Sequence, residues 1–98
     1  MPKAKRNKME IYNDILTAIN QESCHGEARP TRIQAKSNLA YDKLMRYLVE
    51  LEGLETITRE PLVLTQRGLD FLQDYDRIKG FLEEMGVKYL RIKRRGED

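Results

Sequence analysis

Five basic residues fall between Arg29 and Arg46, namely Arg29, Arg32, Lys36, Lys43 and Arg46, against a single acid, Asp42. Guanidinium and ammonium groups gathered over so short a stretch suit a polyanion, because they can meet phosphate oxygens or the acceptor edges of bases. Other chemistry is poorly served. There is one histidine, no phosphate-cradling glycine loop and no nucleophile–base constellation, so an enzyme is not expected. Cys24 and His25 are adjacent but lack a second ligand pair, so neither a zinc site nor any cofactor is expected. One cysteine excludes an internal disulfide.

The elements that must position these cations lie between Pro30 and Leu54. Thr31 reads as the N-cap of a short helix whose inward residue is Ile33. Ser37 and Asn38 break it, since both side chains compete for backbone hydrogen bonds. Leu39 plugs the corner, and a second helix runs from about Tyr41 to Glu52. Leu44, Leu48 and Leu51 share one face of that helix, and Gly53 is placed to turn left-handed at its end. Asp42 and Arg46 lie opposite the leucines, with Lys43 flanking. A helix-turn-helix with a leucine inner face and a basic outer face is the geometry that reads DNA. An ordinary helical hairpin with a solvated charged face is the plainer alternative.

Around this unit the chain divides into residues 1–7, a basic disordered arm; 8–72, the folded domain; and 73–95, a long last helix. Asn7 and Glu10 have the spacing of a capping box, and the helix they open runs to about Gln21 with Ile11, Ile15, Leu16 and Ile19 as its apolar stripe and Tyr12 beside them. Glu22 to Arg29 reads as a loop. After Gly53 the period changes to two through Arg59; Glu60-Pro61 breaks it, and Leu62 to Leu64 returns. Thr65 then caps the last helix. A hairpin directly behind a helix-turn-helix is a wing. The expected fold is therefore mainly α with a small β-hairpin, a winged helix-turn-helix with a long C-terminal dimerisation helix.

Net charge is +2, but unevenly spread. Residues 1–8 hold four bases and no acid, and residues 87–98 five bases and two acids, which leaves −5 for the middle. A basic arm and tail on an acidic body predict contact with a polyanion at chosen places, not wholesale coating. No apolar run has the length of a membrane span or signal-peptide core, so a cytoplasmic protein without membrane contact is expected.

The segment TRIQAKSNLAYDKLMRYLVELEGLE, followed by a hairpin and LTQRGLDFLQDY, resembles the archaeal winged-helix regulators. That family includes small dimeric chromatin-type proteins with a coiled-coil last helix. The resemblance covers about residues 8 to 85, and its most specific parts are Thr31-Arg32-Ile33, Asn38-Leu39, Tyr41 and the step from Leu64-Thr65 to Gly68. Two positions depart from it. Ala40 stands where the family has serine, which removes a cap worth about 1 kcal/mol. The wing has Glu60-Pro61 in place of glycines, so its tip is expected to contact DNA weakly.

Phe71, Tyr75, Ile78, Leu82, Met85, Tyr89 and Ile92 alternate four and three apart, a heptad that predicts a coiled coil. Phe71 is expected to close the domain's own core. The rest, Tyr75 to Ile92, would form the interface of a homodimer. The acidic first part of this helix (Asp74, Asp76, Glu83, Glu84) and its basic end (Lys88, Arg91, Lys93, Arg94, Arg95) favour antiparallel pairing, with Leu82 against Met85 of the partner. The resemblance implies the same. Gly80 and Gly86 oppose a continuous helix at about 1 kcal/mol each, and the alternative is that Gly86 ends it and leaves Val87 to Ile92 as a strand or loose tail.

The expected function is a homodimeric binder of double-stranded DNA that regulates transcription. The alternatives are a chromatin-type architectural DNA binder and a winged-helix module for protein contacts. Lys43 and Arg46 would reach base edges or phosphates, Tyr41 would lie beside the backbone, Arg32 and Lys36 would hold phosphates, and Arg59 would probe from the wing. Lys3, Lys5 and Arg6 would add phosphate contacts from the arm. No feature points to a small-molecule ligand.

Overall fold

The computed structural model describes residues 6–96, with side chains through Met85. The elements run α1 (Lys8–Ser23), α2 (Pro30–Ser37), α3 (Tyr41–Gly53), β1 (Ile57–Arg59), β2 (Leu62–Leu64) and α4 (Gln66–Gly96). This is a mostly helical fold with one antiparallel hairpin and a long last helix, as expected.

α1 opens with the capping box: the Asn7 side chain accepts from the Glu10 amide, and the Glu10 carboxylate accepts from the Asn7 amide, both at 2.8 Å. It buries Tyr12, Ile15, Leu16, Ala18 and Ile19, and it extends two residues beyond Gln21. That extension carries Glu22 out of the expected loop and into the last turn of the helix.

α2 begins two residues before the expected start. Arg29 is the N-cap with no side-chain hydrogen bond, Pro30 takes the first helical position, and Thr31 lies inside the first turn and not at the cap. Proline suits that position because its φ is already helical and its missing N–H would have had no partner. The break after Ser37 falls where expected. Asn38 is left-handed at φ 58°, and its amide donates to the Gln34 carbonyl at 2.9 Å. Asparagine tolerates this conformation better than most residues with a Cβ.

α3 buries Leu44, Leu48 and Leu51 against α1 and the hairpin. Ala40 at its N-cap makes no side-chain hydrogen bond. The left-handed residue at the other end is Glu55, at φ 65°, not Gly53, which stays in the helix. The exit is closed further along the chain: the Thr56 amide and hydroxyl both donate to the Leu51 carbonyl, at 3.0 and 2.8 Å. That double bond sets the reversal two residues past the glycine and shortens the first strand to Ile57–Arg59.

The strands pair Ile57 with Leu64, Thr58 with Val63 and Arg59 with Leu62, around a turn whose Glu60-Pro61 peptide is cis. Ile57 and Leu62 are buried and join Ile15, Leu16, Ile19, Ile33, Leu44, Leu48 and Leu51 in one core. Truncating a fully buried leucine there, such as Leu48, costs about 2–5 kcal/mol.

Thr65 caps α4, accepting from the Gly68 amide at 3.2 Å while its hydroxyl donates to the Glu55 carbonyl at 2.6 Å. Gly68 is obligatory in this packing, because a Cβ there would collide with the Thr56 carbonyl oxygen. Phe71 packs partly against the core and stacks on Tyr75, with ring centroids 5.7 Å apart. Beyond them α4 continues through Gly86 to Gly96 as one helix of 31 residues.

Candidate nucleic-acid interface

The expected cations fall into two groups that the fold treats differently. On α3, Lys43 and Arg46 are exposed on the side away from the buried leucines, and among the described residues neither enters a hydrogen bond or ion pair. Tyr41, the first residue of the helix, is exposed beside them. Arg46 does add to the positive surroundings of Glu50, one turn on.

On α2, Arg32 and Lys36 are committed to a partner. Arg32 Nε donates to one oxygen of Glu22 at 2.9 Å, and Lys36 Nζ lies 3.0 Å from the other. Lys36 also donates to Gln21 at 3.1 Å. The Glu22 side chain is only 8% exposed, so the carboxylate is largely withdrawn from water and depends on these two cations. The hydrogen bond from Lys36, then that from Arg32, lowers its pKa against the opposing effect of burial. One buried carboxylate thus cancels half the charge of α2 and ties that helix to α1. Reading Glu22 as a loop residue hid this role; its position three residues after Ile19 on the helical period was the available signal.

Arg6 is also placed differently from expectation. Its guanidinium bonds Asp14 at 2.6 Å, the Ser37 carbonyl at 2.8 Å and the Asn38 carbonyl at 3.1 Å. It therefore clamps the corner between α2 and α3 onto α1 and is not part of a free arm. Lys3 and Lys5 lie outside the described residues. A third tie joins α1 to α3: the Tyr12 hydroxyl donates to Glu50 at 2.7 Å, and Lys8 Nζ lies 3.4 Å from the same oxygen. Burial and then this carboxylate push Tyr12 up to about 12, while the Tyr12 hydrogen bond lowers Glu50.

Arg59 is half-buried where β1 meets the turn, 3.9 Å from Glu52 near the end of α3. The wing cation thus leans toward α3 and is not held out at the tip.

On α4, Ile78, Phe81, Leu82 and Met85 are 54, 59, 60 and 47% exposed. With half-buried Tyr75 they form an apolar stripe, and Phe81, which the heptad omits, widens it. Met9, Tyr75, Ile78 and Leu82 line one groove of about 500 Å³ between the start of α1 and α4, together with Asn7, Glu10, Lys79 and Glu83. The side chains of Tyr89 and Ile92 lie outside the described residues.

Among the described residues no helix is long and apolar enough to cross a membrane, and no cluster of three or more His, Cys, Asp or Glu could hold a metal ion. A hairpin packed behind a helix-turn-helix, whose outer helix presents unpaired cations, defines a winged-helix domain of the DNA-binding class. The winged helix-turn-helix family model matches residues 5–83, and the chain belongs to that family. No curated protein is significantly similar to it.

Proposed function

We propose that the protein is a homodimeric double-stranded DNA-binding protein that regulates transcription, with α3 entering the major groove. The observation that carries this reading is the exposed, unpaired Lys43 and Arg46 on the outer face of α3. Helix-turn-helix proteins present that helix to base edges while neighbouring elements hold the backbone. Arg32, whose side chain stays 65% exposed beside Glu22, and Tyr41 then serve phosphates next to that helix. A near-neutral net charge favours selection of sites over packaging of bulk DNA. Replacing Lys43 and Arg46 together by alanine weakens duplex binding at least about tenfold in a shift or filter assay, since charge-assisted contacts are worth on the order of 1 kcal/mol or more each. Circular dichroism should be unchanged, because neither residue faces the leucines. Equal affinity would remove α3 from the interface.

The dimer rests on the exposed stripe of α4, which a lone chain leaves in water over several turns. A second copy, antiparallel, sets Leu82 against Met85 and the basic end of each helix against the acidic part of the other. Leu82→Asp places two carboxylates in that seam, where unpaired charge is costly. Sedimentation then gives a monomer with the same fold, and duplex binding weakens because two linked reading heads share one duplex. A wild-type monomer at micromolar concentration would reject the seam.

A further inference from the structure

The outer face of α3 is not uniformly basic. Along its midline, opposite Leu44, Leu48 and Leu51, lie Asp42, Arg46 and Val49, four and three residues apart. All three are exposed, Val49 by 61%. Among the described residues Asp42 and Arg46 have no hydrogen-bond or ion-pair partner. Lys43 and Glu50 flank the line.

This combination suits base edges better than phosphates. A carboxylate in the middle of a phosphate-holding surface repels it, and an aliphatic side chain there contributes nothing. In the major groove each of the three has a counterpart. Arginine donates two hydrogen bonds to guanine O6 and N7, a carboxylate accepts from the cytosine N4 amino group, and an aliphatic group covers the thymine methyl. Asp42 also sits in the first turn, where a negative charge favours the helix dipole. That effect explains an acid at the start of the helix but not its alignment with Arg46 and Val49.

The spacing agrees. Zinc-finger helices likewise reach successive bases with side chains about one turn apart. From Asp42 to Val49 the helix rises about 10 Å. Three steps of a DNA strand at about 3.4 Å cover the same distance, so the three side chains span four successive base pairs.

We propose that α3 reads three positions within four successive base pairs, with Asp42 on cytosine, Arg46 on guanine and Val49 on thymine, in that order along the site. This rests on the DNA-binding reading above and adds base identity to it. Lys43, off the midline, is left to hold phosphate.

The test is selection from a pool of random duplexes by the full chain, followed by affinity measurements on the enriched site. The expected product contains C, G and T, in that order, within four successive positions. Replacing the thymidine by deoxyuridine removes only the methyl group and should weaken wild-type binding several-fold. Val49→Ala should make the protein indifferent to that replacement. Arg46→Gln should lower discrimination for guanine about tenfold or more, and Asp42→Asn should move the preference from cytosine toward adenine. Duplex retention without any enriched sequence overturns base reading while leaving DNA binding intact. Enrichment that all three variants reproduce unchanged overturns the assignment to α3. No retention of any duplex sinks both readings.

Discussion

α2 and α3 each carry two cations, Arg32 and Lys36 on one, Lys43 and Arg46 on the other, and a count of charge makes them equivalent. The fold makes them unequal. Glu22 occupies both cations of α2, whereas those of α3 meet no acid within hydrogen-bonding reach among the described residues. A cation already paired with a buried carboxylate offers little net charge to a phosphate, and removing it strands its partner. Basic residues in a helix-turn-helix thus divide into those that build the unit and those available to a ligand.

The largest expected effect sets the two pairs against each other. Arg32→Ala with Lys36→Ala should lower duplex affinity clearly less than the α3 double variant does, but should lower thermal stability clearly more. Stability falls because Glu22 is left buried without a partner. If the α2 variant loses the more affinity and keeps its melting temperature, the comparison is reversed.

A smaller effect comes from the acid itself. Glu22→Gln releases the charge of α2, so binding should strengthen a few-fold at low salt. The slope of log affinity against log salt should steepen by about 0.9 for each further phosphate engaged. An unchanged slope means that Arg32 and Lys36 do not face the duplex at all.

The smallest concerns pH. Glu22 and Glu50 both titrate below their ordinary 4.5 in the folded chain. Each therefore contributes stability that is present above 4.5 and lost as pH falls through its depressed folded value. Thermal melts from pH 7 down to 3 should show a steeper fall for the wild type than for Glu22→Gln, which lacks that contribution throughout. Parallel curves would mean that the Glu22 clamp adds nothing to folding.

Local patterns carried much of the architecture. The Asn7–Glu10 box, the leucines of α3, the asparagine break after Ser37 and the Thr65 cap each depend on residues within about one helical turn, and each appears as the sequence implies. The resemblance to winged-helix regulators extended the same conclusion to the order of elements. Its glycine in the step after Leu64-Thr65 has a physical reason in the Thr56 carbonyl, which a Cβ would strike.

What the sequence by itself determined, then, is the set of elements, the apolar faces they bury and the outward position of Lys43 and Arg46. Helical period and capping are properties of neighbours in the chain. Only the tertiary structure decided which charges are spent internally. Arg6 reaches the corner 31 and 32 residues away, Glu22 reaches Arg32 across 10, and Tyr12 reaches Glu50 across 38. The reversal at Glu55 in place of Gly53 likewise followed from two hydrogen bonds to Leu51. Such choices depend on which polar groups lose water when helices pack, and a buried group must take whatever partner the packing supplies.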